Sequence, residues 1–489
     1  MTSIRLILPL LICFISLAFS PATAPARTEP VQRPNVLFLA IDDLRPELAS
    51  YGAKVQTPNL DRFARTAMQF DRAYCQQAVC GASRLSIMSG LYPTHTKEQT
   101  YHIKDWRSRH PDLLTLNQHF KANGYRTIGL GKIYHASSGK GVDEANWSQW
   151  IKVSAPGYVT PESKAARKEN TEHNRGPLTE LADVDDETYI DGQRAIKAAE
   201  LLSQLAKDSD QSQPFFLAVG LTKPHLPFVA PKKYWDLYQR DQFKMPSNVG
   251  IPEGYPEQAA KLTAGEMQKY ADYEGEMPTD FSDDLNKRLL HGYAACVSYM
   301  DANLGVIMKA LQENGLAENT IVVFWGDHGY KLGDHSTWCK HTNFECDARV
   351  PLMVRAPESV AGQRLQQPVE LIDLYPTLCE LTGLKIPDHC QGKSFAGLLK
   401  DPTAKHRDTA YSSYPFSRDK IGHSIRTGDF RFTEWFNREE DGKSVGPRVL
   451  TNLVSDPGET KNLIDDPEHA ETVEKAKRLL RQRIRAAIE

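Results

Sequence analysis

Apolar runs that end in charged or histidine-bearing turns set the rhythm of this chain. The first, Asn35–Ile41 (NVLFLAI), has no polar position after Asn35 and stops at Asp42-Asp43. Such a run predicts a strand buried on both faces of a parallel sheet. The pattern returns three times. Residues 125–131 lead to Lys132 and His135, Phe215–Leu221 to Lys223-Pro224-His225, and residues 320–325 to Gly326-Asp327-His328. Apolar positions at helical spacing lie between them, at 191–206 and 288–314. Thr57 as N-cap and Pro58 at the first position predict a further helix over 57–70. Strands alternating with helices predict an α/β fold, a large sandwich domain whose central, mostly parallel sheet is flanked by helices. Ligands bind beyond the carboxyl ends of the strands in such sheets. Four strands delivering polar residues there predict one composite site.

Residues 140–190 and 229–287 are rich in Pro, Gly, Tyr and charge, with weak periodicity, and predict long loops or lids over that site. Around 395–410 the chain turns polar, a linker that would divide a catalytic domain at 33–400 from a C-terminal one at 408–489. In the latter, residues 424–435 alternate like a hairpin and 467–488 read as an amphipathic helix, together a small α+β domain.

Composition changes this picture little. A chain of 489 residues that is 40% hydrophobic and 25% charged is ordinary globular material. A net charge of −3 argues against a nucleic-acid partner, and an anionic substrate would need positive charge concentrated locally. The N-terminus says more. Arg5, an apolar run to Phe19 and small residues with prolines up to Ala26 have the layout of a signal peptide over 1–26. Export to the periplasm or outside the cell is the expectation, with no membrane association after cleavage. The lone N-x-[ST] sequon, at Asn146, favours a bacterial exported protein over a heavily glycosylated lysosomal one. Cys339 with Cys346, and Cys379 with Cys390, are close enough in sequence for disulfide bridges; buried thiols are equally consistent.

Two groups of residues carry candidate chemistry. Cys80-Gly81-Ala82-Ser83-Arg84 opens a short apolar segment that Gly90 ends, the pattern of a loop entering a helix. Cys80 would sit at the helix N-terminus, where free N–H groups favour an anion, with Arg84 one turn along the same face to pair with it. Asp42, Asp43, Asp327 and His328 follow two of the strands. Clustered carboxylates repel one another unless a cation neutralises them, so they predict a metal cage. Three carboxylates plus one further ligand suit Ca2+, with Mg2+ as the alternative, and His328 leaves a softer metal open.

The motif Cys80-Gly81-Ala82-Ser83-Arg84, followed by Ser86-Ile87-Met88-Ser89-Gly90 and Tyr92-Pro93, resembles the signature of the type I formylglycine-dependent sulfatases of the alkaline phosphatase-like superfamily. Gln76-Gln77-Ala78-Val79-Cys80 is similar to the iduronate-2-sulfatase-like branch. The resemblance continues through Ile41-Asp42-Asp43-Leu44-Arg45-Pro46, Lys223-Pro224-His225-Leu226-Pro227-Phe228, Gly333-Asp334-His335, Tyr414-Pro415 and Ser424-Ile425-Arg426-Thr427. One departure is Ala82, where most members have Pro. The resemblance implies that a formylglycine-generating maturation enzyme oxidises Cys80 to an aldehyde whose hydrate is the nucleophile. It implies a metal held by Asp42, Asp43, residue 80, Asp327 and His328.

Hydrolysis of a sulfate monoester needs an in-line nucleophile, cations on the non-bridging oxygens and a proton for the departing alkoxide. By resemblance, Arg84 orients the hydrated aldehyde and Lys132 and Lys340 clamp the sulfate. His225 protonates the leaving oxygen, and His135 takes a proton as sulfate leaves. The implied substrate is a 2-O-sulfated uronate in a glycosaminoglycan, with Lys420, in a polar turn before Ser424, as the cation that meets its carboxylate. Three other functions are compatible with the same residues: a sulfatase on another, algal-type sulfated polysaccharide; a phosphonate or phosphodiester hydrolase using the same aldehyde; and a non-catalytic polysaccharide binder, should Cys80 stay unconverted.

Overall fold

Which strands lie side by side decides whether the polar turns can meet. In chain order the strands are β1 (Asn35–Ile41), β2 (Met68–Tyr74), β3 (Arg126–Gly131), β4 (Gln149–Ile151), β5 (Thr179–Ala182), β6 (Phe215–Leu221), β7 (Phe228–Pro231), β8 (Thr320–Gly326), β9 (Lys331–Leu332), β10 (Trp338–Cys339), β11 (Arg349–Arg355), β12 (Arg364–Leu365) and β13 (Val369–Glu370). The main sheet has the order β12-β2-β11-β8-β1-β6-β3-β4, with β13 also beside β2. Only β11 runs antiparallel to its neighbours there; the other pairings are parallel. This computed structural model describes residues 33–101, 103–135, 139–208, 213–256, 260, 265–275, 277–438 and 444–489. The signal peptide expected over 1–26 lies outside the described residues. Among the described residues no helix is long and apolar enough to cross a membrane.

The helices that concern the site are α1 (Pro58–Ala64), α2 (Cys80–Ser89), α3 (Leu116–Ala122), α4 (Pro161–Glu169), α5 (Ile190–Lys207), α6 (Asp283–Glu313), α7 (Leu374–Leu381) and α8 (Ala470–Ile488). Side chains alternate across a strand, and β1 divides accordingly. Leu37, Leu39 and Ile41 join one core with α5 and α6, while Val36, Phe38 and Ala40 join another with α2, α3 and α7. Burial on both faces explains why β1, β6 and β8 read as continuous apolar runs rather than as alternating ones.

The helix expected over 57–70 is a correction. It ends at Ala64, and Met68–Tyr74 is β2. This segment is held on both edges, by β11 on one side and by β12 and β13 on the other. Its backbone hydrogen bonds are thereby satisfied in the sheet, and tertiary pairing overrides local spacing.

Residues 33–489 belong to one compact unit. In its C-terminal part β14 (Ala410–Pro415), β15 (Lys420–Arg426), β16 (Phe430–Asn437) and β17 (Ser444–Asn452) form an antiparallel sheet in that order. Helix α8 packs on it through Val473, Ala476, Leu480 and Ile484. The polar stretch leading into β14 is pinned: Arg407 donates to Glu370 Oε1 at 2.8 Å and also pairs with Asp373. Cys346, Cys379 and Cys390 carry free thiols, so neither close cysteine pair is bridged.

Candidate active site

Register brings four strand ends together. Ile41 at the end of β1 lies beside Leu221 of β6 and Gly326 of β8, and Gly131 of β3 lies beside Gly220 of β6. The residues that follow must therefore be neighbours. Asp327 N–H donates to Ile41 O at 3.0 Å, and Lys132 N–H donates to Gly220 O at 3.1 Å. Asp43 leaves β1 with φ 58°, in the left-handed region that Asp tolerates better than most residues. Its own N–H donates to Asp327 Oδ1 at 3.0 Å, and its carbonyl accepts from the Tyr293 hydroxyl at 2.9 Å.

Cys80 is the first residue of α2, and Gly90 ends that helix at φ 72°. Both match the sequence reading. Cys80 is buried but borders the cleft, with Sγ 3.2 Å from His328 Nε2 and 3.8 Å from Asp43 Oδ1. Arg84, one turn on, is buried and acts as a hub. Its Nε donates to Asp327 Oδ2 at 2.8 Å, Nη2 reaches Asp42 Oδ1 at 3.3 Å, and Nη1 donates to the carbonyls of Lys132 and Ile133.

Three wholly buried carboxylates in so small a volume need compensating charge. Asp42 is ringed by Lys132, His225 and Arg84, which hold its carboxyl well below the usual range despite burial. For Asp43 burial wins and pushes the carboxyl up to about 6, against His225 and Lys340. His328 donates from Nδ1 to Gly329 O at 2.8 Å, so Nε2 is the ring nitrogen turned toward Asp43 and Cys80. Burial alone would lower it, but Asp327, Cys80 and Asp43 carry it up to about 10. The donor set suits a divalent cation. Ligand atoms of Asp42, Asp43, Cys80 and His225 lie within 4.8 Å of one another, as do those of Cys80, Asp327 and His328. A cation among them would offset the burial that raises Asp43, and the smaller repulsion from Cys80 and Asp42.

The basic groups converge on the same carboxylates. Lys340 Nζ contacts both oxygens of Asp43 at 2.8 Å, and Lys132 Nζ pairs with Asp42. His225 Nδ1 donates to Leu226 O at 2.7 Å, leaving Nε2 3.9 Å from Asp42, 3.8 Å from Asp43 and 3.4 Å from Glu266. His135 lines the same cleft; burial and then Lys132 depress it to about 4, a neutral imidazole near pH 7. Lys420 is different. It opens β15, is exposed, and is not among the residues lining the cleft.

Glu266 escaped the sequence reading. It lies in the 229–287 segment, where no motif marks it, yet His225 and Lys340 draw its carboxyl down to about 2 against burial. Tyr158, Tyr270 and Arg175 line the cleft from the two lids in the same unsignalled way.

A mostly parallel α/β sheet that presents aspartates, histidines and lysines around the cysteine at one helix N-terminus defines a hydrolase of the alkaline phosphatase-like fold. Residues 34–384 match the family model described as Sulfatase, and residues 333–486 match one described as N-sulphoglucosamine sulphohydrolase, C-terminal. The chain belongs to the sulfatase family. It is 32% identical to iduronate 2-sulfatase of Homo sapiens, over 89% of this chain and 92% of that protein. A sulfatase of Formosa agariphila is 29% identical over 92% and 87%. The solved structure of a 2-O GAG sulfatase shares the fold with a TM-score of 0.72 at 20% identity, covering 93% of this chain and 92% of that one.

Proposed function

We propose that this sulfatase family hydrolase removes the sulfate from a 2-O-sulfated uronate of a glycosaminoglycan-type saccharide, after export and after conversion of Cys80 to formylglycine. The observation that carries the reading is that Cys80, at the start of α2, lies against Asp43 and His328 and lines one cleft with Lys132, Lys340 and His225, which pair with the same aspartates. The likeness to iduronate 2-sulfatase supports the choice of sugar. Converted residue 80 would supply an aldehyde hydrate hydroxyl as nucleophile. Asp42, Asp43, Asp327 and His328, with residue 80, would hold a divalent cation, Ca2+ by preference, whose charge favours the ionised nucleophile.

The remaining work falls to the chain's own groups. Arg84 fixes Asp42 and Asp327 at their spacing and so orients the ligand set. Lys132 and Lys340 receive the non-bridging sulfate oxygens, sharing their charge between substrate and aspartates. As the bond from sulfur to the sugar oxygen breaks, the departing alkoxide takes a proton from Nε2 of His225 in its imidazolium form, which becomes the neutral ring with Nδ1–H still on Leu226 O. His135, neutral near pH 7, accepts a proton as sulfate leaves, and its Nδ1 is buried without a hydrogen-bond partner among the described residues.

The test is mass spectrometry of the peptide bearing residue 80, from protein made with a maturation enzyme, paired with turnover assays. We expect the aldehyde, sulfate release from a 2-sulfated uronate disaccharide, and none from Cys80→Ala. A converted enzyme that prefers a nitrophenyl phosphodiester to nitrophenyl sulfate, or an active Cys80→Ala variant, would overturn the reading.

A further inference from the structure

The cleft carries a second set of cations that the sulfate chemistry leaves unused. Its volume is about 800 Å3, beyond the needs of one sulfated sugar ring and in the range that encloses a much larger ligand. Lys132 and Lys340 sit largely buried at its floor, whereas Arg167, Arg175 and Lys269 line it from exposed positions at its mouth.

These three belong to lids that are stitched together. Asn170 Nδ2 donates to Lys269 O at 2.9 Å and to Arg175 O at 3.0 Å, and Ala271 N–H donates to Gly176 O at 3.0 Å. Arg167 Nε donates to Asn174 O at 3.2 Å and to its side-chain oxygen at 3.1 Å. The Arg175 guanidinium lies 5.6 Å over the Tyr270 ring. The base of α4 is fixed too: Glu180 accepts from Val159 N–H at 2.9 Å and from the Thr160 hydroxyl at 2.9 Å. A wall held this way pays less ordering cost when a ligand arrives.

The nearby carboxylates are engaged elsewhere. Glu266 faces His225 at 3.4 Å, Asp272 pairs with Arg288 at 2.9 Å, and Glu172 lies 3.4 Å from His173. Among the described residues, no carboxylate forms an ion pair with Arg167, Arg175 or Lys269. On a chain whose net charge is −3, a local excess of cations beside an anion-holding floor is the concentration of charge that a polyanionic substrate requires.

We propose that Arg167, Arg175 and Lys269 form a second anion subsite, which takes the carboxylate of the uronate being desulfated or the sulfate of the adjoining saccharide unit. The subsite rests on the sulfatase reading of the floor and assigns substrate recognition to the lids rather than to Lys420.

The test compares kcat/KM for a 2-sulfated uronate–glucosamine disaccharide bearing a second sulfate with that for nitrophenyl sulfate, which has neither extra anion. In an Arg175→Ala/Lys269→Ala variant the ratio of the two should fall roughly tenfold or more, the loss expected of charge-assisted contacts, mainly through KM. Arg175→Lys should retain most of the ratio. A carboxyl-reduced disaccharide that no longer senses the variant identifies the carboxylate; a disaccharide without the second sulfate that no longer senses it identifies that sulfate. An unchanged ratio, or equal losses on both substrates, overturns the subsite. If the wild-type enzyme hydrolyses only nitrophenyl sulfate, the uronate reading fails by itself. The subsite is then judged by competition of a heparin oligosaccharide with nitrophenyl sulfate: an inhibition constant raised in the variant supports it, and an equal one overturns it.

Discussion

One hydrogen bond sets the working end of two of the site imidazoles. His225 and His328 both commit Nδ1 to a backbone carbonyl in their own turn, at 2.7 Å and 2.8 Å, so both offer Nε2 to the cleft. Their surroundings then separate them. His328 faces three anionic or thiol groups and is held high, while burial outweighs Asp43 and Glu266 at His225 and leaves it low. Because Nδ1 keeps its hydrogen on Leu226 O, Nε2 carries a proton only in the imidazolium form, and a histidine held low is a strong acid in that form, so the leaving-group step should weaken as pH rises. His225→Ala should therefore lower kcat on a sugar sulfate by about 10²–10⁴-fold, and lower it far less on nitrophenyl sulfate, whose phenolate leaves without a proton. Equal losses on both substrates would make His225 a binding group. Of the residues that meet here, Cys80 and Arg84 were legible because a helix start fixes their spacing, and the aspartates because they end buried strands. Glu266 was not legible, since its reach depends on the path of an irregular lid. Lys420, which the resemblance makes the cation for the uronate carboxylate, is exposed and is not among the residues lining the cleft; the hairpin register sets it opposite Asn437 at the start of β15.

At the scale of elements, the site depends on how closely β3 and β6 approach at their ends. A methyl group on Gly220 would lie 2.2 Å from the Lys132 carbonyl carbon, and one on Gly131, at φ 76°, would lie 2.1 Å from Gly220 O. These are backbone atoms, which no rotamer change can clear. Gly220→Ala should destabilise the protein by roughly 1–3 kcal/mol, the usual cost of overpacking, and should lower turnover because Lys132 is carried away from Asp42. Gly397→Ala, where nothing lies within 4 Å, is the matched control and should cost nothing. Urea unfolding and kcat measured on both variants decide the matter; wild-type stability and rate in Gly220→Ala would show a compliant contact. The strands that carry this geometry were readable because burial on both faces writes itself as an apolar run. Strand β2 was not, because its place in the sheet comes from three partners distant in sequence.

For the whole molecule the question is what the C-terminal sheet contributes to a site built on the central one. The segment after β10 answers it. At one end Lys340 reaches Asp43; in the middle Asn343 Nδ2 donates to Gly422 O of β15 at 3.2 Å; at the other end Glu345 pairs with Arg431 of β16 and lies 3.4 Å from Arg426 of β15. Glu345 also accepts from the Tyr74 hydroxyl of β2 at 2.8 Å, so one carboxylate ties both sheets. Burial would raise its pKa, but Arg431, Arg426 and Arg349 draw it down to about 2 from 4.5. A carboxyl depressed on folding contributes stability that is present above its unfolded pKa and lost as pH falls through the folded one. Glu345→Gln should therefore cost about 3–5 kcal/mol at pH 7, because it leaves buried Arg431 with only Glu459, 3.5 Å away, as a carboxylate partner. The gap between variant and wild type should narrow as pH falls from 4.5 toward 2. Because the same segment carries Lys340, kcat/KM for nitrophenyl sulfate should fall with it. Denaturant midpoints of both proteins at pH 7 and pH 3, with turnover at pH 7, check the whole prediction. An equal gap at both pH values would show that the charge of Glu345 is not what matters. A destabilised variant with wild-type turnover would show that the C-terminal sheet steadies the fold without positioning Lys340.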